Sequence, residues 1–393
     1  MIFMAPWRFI LALVLVLVLA QLSPAAIKKG PYLIYPGTNT QMMVLWQLDA
    51  STSCSLEWGL DAHYQSGRVT GAEMNSDHQY KQLIDGLTPG TKYFYRVAEG
   101  ANLYPGSFQA APPDDARSLK FLVYGDTRTD VNADNSVCGA MQATCTADPA
   151  YQTFTLHVGD WVGEDSEAGW SNEFFIRAAN AHGIMTLLAN LPFQGCIGNH
   201  EVNGVYYRKY WPYPYIKDPR FYWSFDYGPA HFTVVDQYDG ANGISDGQLS
   251  WIKNDLATTR KPWKFFLYHE PAWTAANQFH GNNVRAQTAL QLLCKEYGIE
   301  LCFNGHIHLY ARCTQDGVQH LTLGGGGATL YDPNPTQPGY VVKVLKTFHY
   351  AKVAINDNVL NFEAVEPDGT VIDRFTVTHP LPNNVRQRWF SLD

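Results

Sequence analysis

The sequence lacks the features of several large protein classes. Charged residues make up only 16% of its 393 positions, and Asp plus Glu outnumber Lys plus Arg by 36 to 28. The resulting net charge of -8 disfavours a surface that wraps nucleic acid or anionic lipid. Because 46% of the residues are hydrophobic, the chain is not a disordered protein, and its length suits two or three domains.

Cysteine is sparse, and no CxxC motif occurs, which disfavours a cysteine-based zinc site. There are seven cysteines, so at least one stays unpaired or pairs between chains. We expect Cys138 and Cys145 to flank a short polar loop and to form the favoured disulfide in an oxidising compartment. Cys196 and Cys302 lie inside apolar runs, where a thiol usually acts as a small buried hydrophobe.

Long hydrophobic runs are missing except near the N-terminus. There Arg8 precedes an apolar run over residues 10–20, followed by Ser23 and Ala25 in a small-x-small pattern. The run is shorter than the roughly 20 residues that span a bilayer. Residues 1–26 are therefore predicted to be a cleaved signal peptide, and the mature protein to be secreted or periplasmic without a membrane span.

Residues 27–112 alternate apolar and polar positions between turn signals, which indicates a small all-β sandwich. Within it, the stretch LTPGTKYFYRV resembles the fibronectin type III pattern. A Pro- and Asp-rich linker follows at residues 111–118.

From residue 118 to 380 the pattern predicts a layered α/β domain, with residues 381–393 as a C-terminal tail. Apolar runs typical of buried strands alternate with predicted helices at 170–189, 245–257 and 283–297. The last strands read as a meander that we expect to complete the second sheet. The predicted buried strands lie at residues 121–126, 153–160, 193–200, 231–236, 264–270, 300–306 and 320–327.

Most of the apolar runs end at a residue able to bind a metal ion. Because ligands collect at the carboxyl ends of parallel strands, we expect these side chains to meet at one edge. Carboxylate, amide and imidazole groups suit two divalent or trivalent ions, with Fe, Mn or Zn favoured. A shared carboxylate can bridge two ions about 3.5–4 Å apart. The predicted ligands are Asp126, Asp160, Asn199, His269, His306 and His308.

The order GD, GD, GNHE, H and GHxH resembles the calcineurin-like metallophosphoesterase superfamily. With the preceding sandwich, the chain is similar to purple acid phosphatases and their bacterial relatives. The resemblance implies a four-layer αββα sandwich behind a fibronectin type III-like domain. It also implies an exported enzyme that hydrolyses small phosphate monoesters, or else diesters, through a dinuclear metal centre and a metal-bound hydroxide.

Carried over by motif, the resemblance assigns a role to each candidate. Asp160 would bridge both ions, Asp126 and His308 would bind the first ion, and His200 would protonate the leaving oxygen. The second ion would be held by three further residues. These are Asn199, His269 and His306.

Two positions depart from the pattern. Arg128 stands where most superfamily members have a histidine ligand, and Gly163 stands where purple acid phosphatases have a tyrosine ligand. Without that tyrosine there is no phenolate to give a ferric charge-transfer colour. The missing first-ion ligand could come from one of three residues, or extra water could take its place. The three candidates are Asp130, Asp134 and Asn135.

Several residues admit two interpretations. Arg128 could bind a phosphate bidentately, or it could pair with Asp130 or another surface acid. The aromatic segment 206–223 could form a rim that contacts the substrate, or a packed cover over the sheet edge. The glycine run at 324–327 is predicted to be a tight loop near the metals rather than a P-loop. We expect His157 and His231 to be structural. We also expect no metal or substrate role for His280.

A function of another class is a non-catalytic exported binding protein with a degenerate phosphoesterase domain. The substitutions at Arg128 and Gly163 favour it, whereas the intact GNHE and GHIH motifs oppose it. The sequence carries no signal for the oligomeric state.

Overall fold

The computed structural model of the chain describes residues 26–75, 77–176, 182–216, 219–241, 243–275 and 280–380. The predicted signal peptide, apart from its last residue, and the predicted C-terminal tail lie outside these residues. Over the part that the structure describes, no helix combines the length and the apolar character needed to cross a membrane.

The N-terminal domain is an all-β sandwich, as predicted. Its two sheets have the strand orders β1-β2-β5 and β4-β3-β6-β7. Between them lies an apolar core in which Trp46 stacks on Tyr80 with 5.4 Å between ring centroids. The strands are β1 (Ile27–Ile34), β2 (Met42–Leu48), β3 (Cys54–Gly59), β4 (Gly67–Thr70), β5 (Gln79–Ile84), β6 (Lys92–Glu99) and β7 (Asn102–Gln109).

The second domain holds thirteen described strands in two sheets that pack face to face. The strands are β8 (Ser118–Tyr124), β9 (Thr155–His157), β10 (Phe193–Gly195), β11 (Trp223–Tyr227), β12 (Ala230–Val234), β13 (Trp263–Leu267), β14 (Leu301–Asn304), β15 (Tyr310–Gln315), β16 (Val318–Leu323), β17 (Val341–Leu345), β18 (Tyr350–Asn356), β19 (Val359–Val365) and β20 (Val371–Thr378). One sheet has the order β10-β9-β8-β18-β19-β20, and the other has the order β11-β12-β13-β14-β16-β15-β17.

Helices complete the domain. The described helices are α1 (Val131–Ala147), α2 (Glu167–Gly169), α3 (His182–Asn190), α4 (Val205–Tyr210), α5 (Asp246–Thr258) and α6 (Val284–Tyr297). The helices α1 and α3 pack together, and α5 and α6 bury their apolar faces with residues of β13 and β14. Mixed α/β architecture is thereby confirmed.

Aromatic side chains fill the space between the two sheets. Phe121 of β8 stacks on Phe154 with 5.2 Å between centroids and meets Phe232 edge-on at 5.4 Å. Phe265 and Phe303 of the opposite sheet lie within 6.0 Å of the same Phe121 ring. All are buried, so this cluster ties one sheet to the other through apolar burial and ring contacts.

Strand direction determines where the chain can build a site. In one sheet β8, β9 and β10 are parallel, and in the other β12, β13, β14 and β16 are parallel. The loops that follow β8, β9, β10, β13 and β14 therefore carry the predicted ligands to a common edge, as the side-chain contacts below demonstrate.

The disulfide prediction for Cys138 and Cys145 is wrong, because both residues lie on the single helix α1. Seven residues of α-helix rise about 10 Å, which is too far for a disulfide. All seven cysteines are buried free thiols. The expectation for Cys196 and Cys302 as buried small residues is confirmed.

The C-terminal meander also differs from the expectation. Strands β18, β19 and β20 are antiparallel and continue the sheet that β8 opens, not the later sheet. In this arrangement Ala351 and Val353 of β18 pair with Val123 and Phe121 of β8. All four residues are buried in the same apolar core, which favours this pairing.

Candidate metal centre

Three candidate ligands follow a glycine and have left-handed backbone conformations. The φ angles are 56° at Asp126, 53° at Asp160 and 69° at His306. Non-glycine residues rarely adopt such angles, and they cluster where a fold over-determines a functional geometry.

Two glycines near these ligands are required because a side chain at either position would collide with a carboxylate. A Cβ on Gly305 would lie 2.2 Å from Asp126 Oδ2, and a Cβ on Gly198 would lie 2.1 Å from Asp160 Oδ1. Either addition would drive the carboxylate out of position. The close approach of backbone to carboxylate thus requires glycine at both positions.

Six potential ligand side chains converge into two overlapping clusters. Within the described residues, ligand atoms of Asp160, His269 and His306 lie within 4.8 Å of one another. The second cluster, under the same limit, is Asp126, Asp160 and His308. Asp160 belongs to both, as a bridging carboxylate would. Asn199 joins the first cluster, because its Oδ1 lies 2.9 Å from His306 Nδ1.

Hydrogen bonds on the far side of two imidazoles leave the other ring nitrogen for a metal ion. His269 Nδ1 lies 2.8 Å from the Val158 carbonyl, and His308 Nδ1 lies 2.8 Å from the Thr329 carbonyl. The Nδ1–H donors are thereby used, which directs each Nε2 into the site. His269 Nε2 is buried and lies 3.1 Å from Asp160 Oδ1, so it reaches the carboxylate that both clusters share. An imidazole nitrogen held in this way by its far-side hydrogen bond fits a metal ligand.

Burial and neighbouring charges shift the pKa values of the candidate ligands. Burial raises the pKa of Asp126 above its usual range. Burial also opposes ionisation of Asp160, but the His269 imidazolium holds the pKa of that carboxyl well below normal. Burial and the Arg128 guanidinium lower the pKa of His308, which favours the neutral, ligating imidazole.

His200 stands over the same site. Its Nδ1 lies 2.6 Å from the Gly163 carbonyl, and its Nε2 lies 3.7 Å from Asp160 Oδ2. The side chain is 27% exposed, whereas that of Asp160 is 1% exposed. His200 therefore presents one ring nitrogen to the open face of the cluster.

Arg128 points into the site. Its Nε donates to Asp160 Oδ2 at 3.3 Å and its Nη2 to His308 Nε2 at 3.2 Å. Its side chain is only 18% exposed. The alternative of a surface pair with Asp130 is therefore wrong, and the guanidinium shares the edge with the candidate ligands.

The three residues considered for the missing ligand are used elsewhere or deeply enclosed. Asp130 caps α1 by accepting from the backbone N–H of Asn132 and Ala133, and Asn135 accepts from the first turn of α3. Asp134 is fully buried beside Cys138, and burial raises its pKa. Neither Asp130 nor Asp134 belongs to either ligand cluster.

Two carboxylates that the sequence reasoning missed tie the site loops together. Glu201 is buried and accepts from the N–H of Gly198 at 2.9 Å and of Val162 at 3.1 Å. Glu173 accepts from Gly163 at 2.8 Å and from Thr129 at 3.1 Å. Glu201 had a signal in the GNHE motif, whereas Glu173 had none.

The Glu173 carboxylate also occupies the space beside Gly163. A Cβ at position 163 would lie 3.1 Å from Glu173 Oε1 and 3.2 Å from Oε2. The carboxylate thus crowds the place from which a tyrosine side chain would start.

The neighbouring segments resolve the remaining alternatives. The glycine run at 324–327 packs on the Asp126 loop, where Gly326 and Gly327 donate to the carbonyls of Gly125 and Asp126.

The aromatic segment after Glu201 is a packed cover, since Tyr207, Tyr210 and Trp211 are buried.

Among the histidines outside the motifs, two are structural and one lies at the edge of the site. His157 and His231 are structural, as expected, with hydrogen bonds to Thr127 and to two aspartates. His280 is placed differently from the expectation, because its ring centroid lies 4.4 Å from that of His306, at the edge of the site.

Comparisons with known proteins agree with this geometry. Residues 120–310 match the family model for calcineurin-like phosphoesterases, and residues 29–110 match the purple acid phosphatase N-terminal domain. Purple acid phosphatase 18 of Arabidopsis thaliana is 29% identical over 69% of this chain, which spans 62% of that protein's length. Human acid phosphatase type 7 is 24% identical, with 91% of this chain and 92% of that protein aligned.

A solved structure shows the same fold. The purple acid phosphatase PPD1 from yellow lupin superposes with a TM-score of 0.72 at 18% identity, over 89% of this chain and 74% of that one. With both models matched in order, the chain carries a calcineurin-like phosphoesterase domain behind a purple acid phosphatase N-terminal domain.

Proposed function

We propose that this protein is a metal-dependent phosphoric ester hydrolase that acts on small phosphate esters, with monoesters favoured over diesters. The observation that carries the proposal is the pair of ligand clusters sharing Asp160. The names of purple acid phosphatase 18 and acid phosphatase type 7 point to the same reaction class.

Two metal ions, Fe, Mn or Zn, would be held at the edge of the sheets. Asp126 and His308 would bind the first ion, Asp160 would bridge, and the second would be held by Asn199, His269 and His306. When bound, such ions lower the pKa of a coordinated water and offset the negative charge of phosphate oxygens. The donor set fits them, because it combines carboxylate, amide and imidazole groups.

His200 would act as the proton donor to the leaving alcohol. Its Nδ1 lies against the Gly163 carbonyl, so the ring is fixed and Nε2 faces the open side of the cluster. General acid catalysis of this kind contributes about 10²–10⁴-fold in rate. Arg128 would bind a phosphate oxygen through its guanidinium, which is held next to Asp160 and His308.

The protein would work outside the cytoplasm, in a secreted or periplasmic location. Support for this part comes from residues 1–26 of the sequence alone, where Arg8 precedes a short apolar run. The first described residue, Ala26, is exposed and donates its N–H to Asp49. N-terminal sequencing of the exported protein is expected to begin near Ala26, whereas a start at Met1 would contradict cleavage.

The second candidate is a non-catalytic binding protein with a degenerate site. The observation that favours it is Glu173 beside Gly163, because a carboxylate crowds the place of the tyrosine ligand. Against it stand His200 and the full set of six candidate ligands, which consists of Asp160 and five side chains around it.

Hydrolysis of nitrophenyl phosphate and bis-nitrophenyl phosphate by the purified protein tests the choice. The enzyme is expected to hydrolyse the monoester, to lose activity with a chelator and to regain it with metal. His200→Ala is expected to keep its metals and to lose about 10²–10⁴-fold in kcat on alkyl phosphates, with a smaller loss on nitrophenyl esters. A metal-replete wild-type protein that hydrolyses neither ester would support the binding protein instead.

A further inference from the structure

Glu173 joins two loops of the candidate metal centre, although no motif includes it. A single carboxylate oxygen, Oε2, accepts from the backbone N–H of Gly163 at 2.8 Å and from that of Thr129 at 3.1 Å. The first donor belongs to the loop after β9 and the second to the loop after β8. Both loops carry candidate ligands, and neither hydrogen bond uses an atom of such a ligand.

The backbone that presents Glu173 is fixed by its neighbours. The residue lies in a single π-helical turn, Trp170–Phe174, which the Phe175 N–H closes by donating to the Trp170 carbonyl at 2.8 Å. The side chains of Trp170 and Phe174 are fully buried, and their ring centroids lie 5.8 Å apart. Such turns are frequent at functional sites. The carboxylate therefore projects from an anchored turn and can hold a loop in place.

Gly163 connects Glu173 to His200. Its N–H donates to Glu173, and its carbonyl accepts from His200 Nδ1 at 2.6 Å. Glycine has the widest range of backbone conformations, so this residue does not fix the direction of its own carbonyl. The hydrogen bond to its N–H restricts that freedom. Because a carbonyl only accepts, the contact with His200 requires a proton on Nδ1 and leaves Nε2 for proton transfer.

We propose that Glu173 is a positioning residue for His200 and acts through the backbone of Gly163. The inference rests on the proposed hydrolase function, in which His200 donates a proton to the leaving alcohol. Proton transfer requires the donor to lie within hydrogen-bond reach of the leaving oxygen. A small misplacement of a catalytic group can therefore cost up to about 10²-fold in rate.

The test compares Glu173→Ala and Glu173→Gln with wild type, as metal-loaded proteins, on an alkyl phosphate and on nitrophenyl phosphate. Alanine removes the acceptor, whereas the glutamine amide oxygen can still accept from both N–H groups. We expect Glu173→Ala to lose about tenfold in kcat on the alkyl ester and less than about threefold on nitrophenyl phosphate, whose leaving group needs little protonation. Glu173→Gln should stay within about threefold of wild type on both esters, because it keeps the acceptor.

A second set of variants separates positioning from a general weakening of the loops. In the His200→Ala background there is no ring to hold, so Glu173→Ala should lower the rate on the alkyl ester by less than about twofold. Asp130→Ala is the matched control, because one oxygen of Asp130 also accepts from two backbone N–H groups, those of Asn132 and Ala133. Its ratio of alkyl to nitrophenyl rates should equal that of wild type.

A readout without hydrolysis keeps this role apart from the hydrolase proposal. Nitrogen NMR of zinc-loaded protein with isotope-labelled histidine reports which nitrogen of the neutral His200 ring carries the proton, and His200→Ala assigns the signals. We expect the proton on Nδ1 in wild type and in Glu173→Gln, and its partial transfer to Nε2 in Glu173→Ala.

Four results would overturn the positioning role of Glu173. They are an unchanged His200 spectrum in Glu173→Ala, equal rate losses on both esters, a glutamine variant as slow as the alanine variant, and loss of metal from Glu173→Ala. If the proton shifts in Glu173→Ala while the wild type hydrolyses no ester, Glu173 still positions His200 and the hydrolase proposal fails alone.

Discussion

At the scale of single residues, Asp130 offers a test between two roles, the N-cap of α1 and a metal ligand. Its carboxylate accepts from the backbone N–H groups of Asn132 and Ala133 at 3.0 and 3.1 Å. Asp130→Ala is expected to lower the free energy of unfolding by about 1 kcal/mol, the usual cost of losing an N-cap, and to keep the metal content. Asp130→Asn is the matched control, because asparagine caps about as well. Denaturant unfolding and elemental analysis measure both quantities, and metal loss in the alanine variant would restore Asp130 as a ligand.

The candidate ligands were predictable from the sequence because each follows a strand in a short motif. The structure brings Asp126, Asp160 and His308 together as the motif order implies. The direction of a side chain beyond a motif was not predictable. Asp130 lies close to Asp126 in the chain yet turns toward its own helix, while Glu173, which no motif includes, accepts from the backbone N–H groups of Gly163 and Thr129.

At the scale of secondary-structure elements, the buried strands were predictable and the helix α1 was not. Its composition is polar, with asparagines and threonines that score poorly for helix. A signal was nevertheless present: Val137, Met141 and Cys145 recur every four residues and are all buried.

His231 joins three elements and makes stability depend on pH. The ring on β12 contacts Asp226 of β11 at 2.7 Å and Asp255 of α5 at 2.9 Å. Burial lowers the pKa of His231, but hydrogen bonds to the two carboxylates raise it overall, from 6.5 to about 9. The folded protein therefore keeps a proton that the unfolded chain releases.

The stabilisation from His231 is complete below pH 6.5 and is lost as the pH rises to 9. Over that range, this group alone should lower the free energy of unfolding by about 3 kcal/mol. His231→Gln is expected to be less stable at pH 6.5 and to show a flatter decline. Urea unfolding at a series of pH values measures this, and parallel curves for the two proteins would refute the role of His231.

At the scale of the whole molecule, the two domains share one core and an ion pair whose lysine is buried. Tyr32 of β1 is buried, and its ring meets Phe175 of the second domain at a tilt and Trp211 edge-on. Lys29 of β1 is fully buried, and its Nζ lies 2.5 Å from Glu167 Oε1. The boundary between β7 and β8 was readable from composition, but a contact between distant surfaces was not.

Breaking that pair should destabilise the whole chain. Glu167→Ala leaves the buried Lys29 ammonium with the Gln47 amide oxygen and the face of the Tyr210 ring, and because the Glu167 side chain is 34% exposed we expect a loss of roughly 2 kcal/mol. Lys28→Ala removes an exposed partner of the same carboxylate and should cost less than about 1 kcal/mol. Denaturant unfolding followed by two probes measures both variants. Equal stability of the two variants would show that the buried pair contributes nothing.

The central claim is that Asp160 is shared between two metal ions at the edge where both sheets end. Elemental analysis of wild type, Asp160→Asn and His200→Ala, each purified identically and loaded with metal, tests it most directly. The account predicts two ions per chain in the wild type and in His200→Ala, but a clear loss at both sites in Asp160→Asn, which also loses ester hydrolysis. Two tightly held ions in Asp160→Asn, or an active wild type without bound metal, would contradict it.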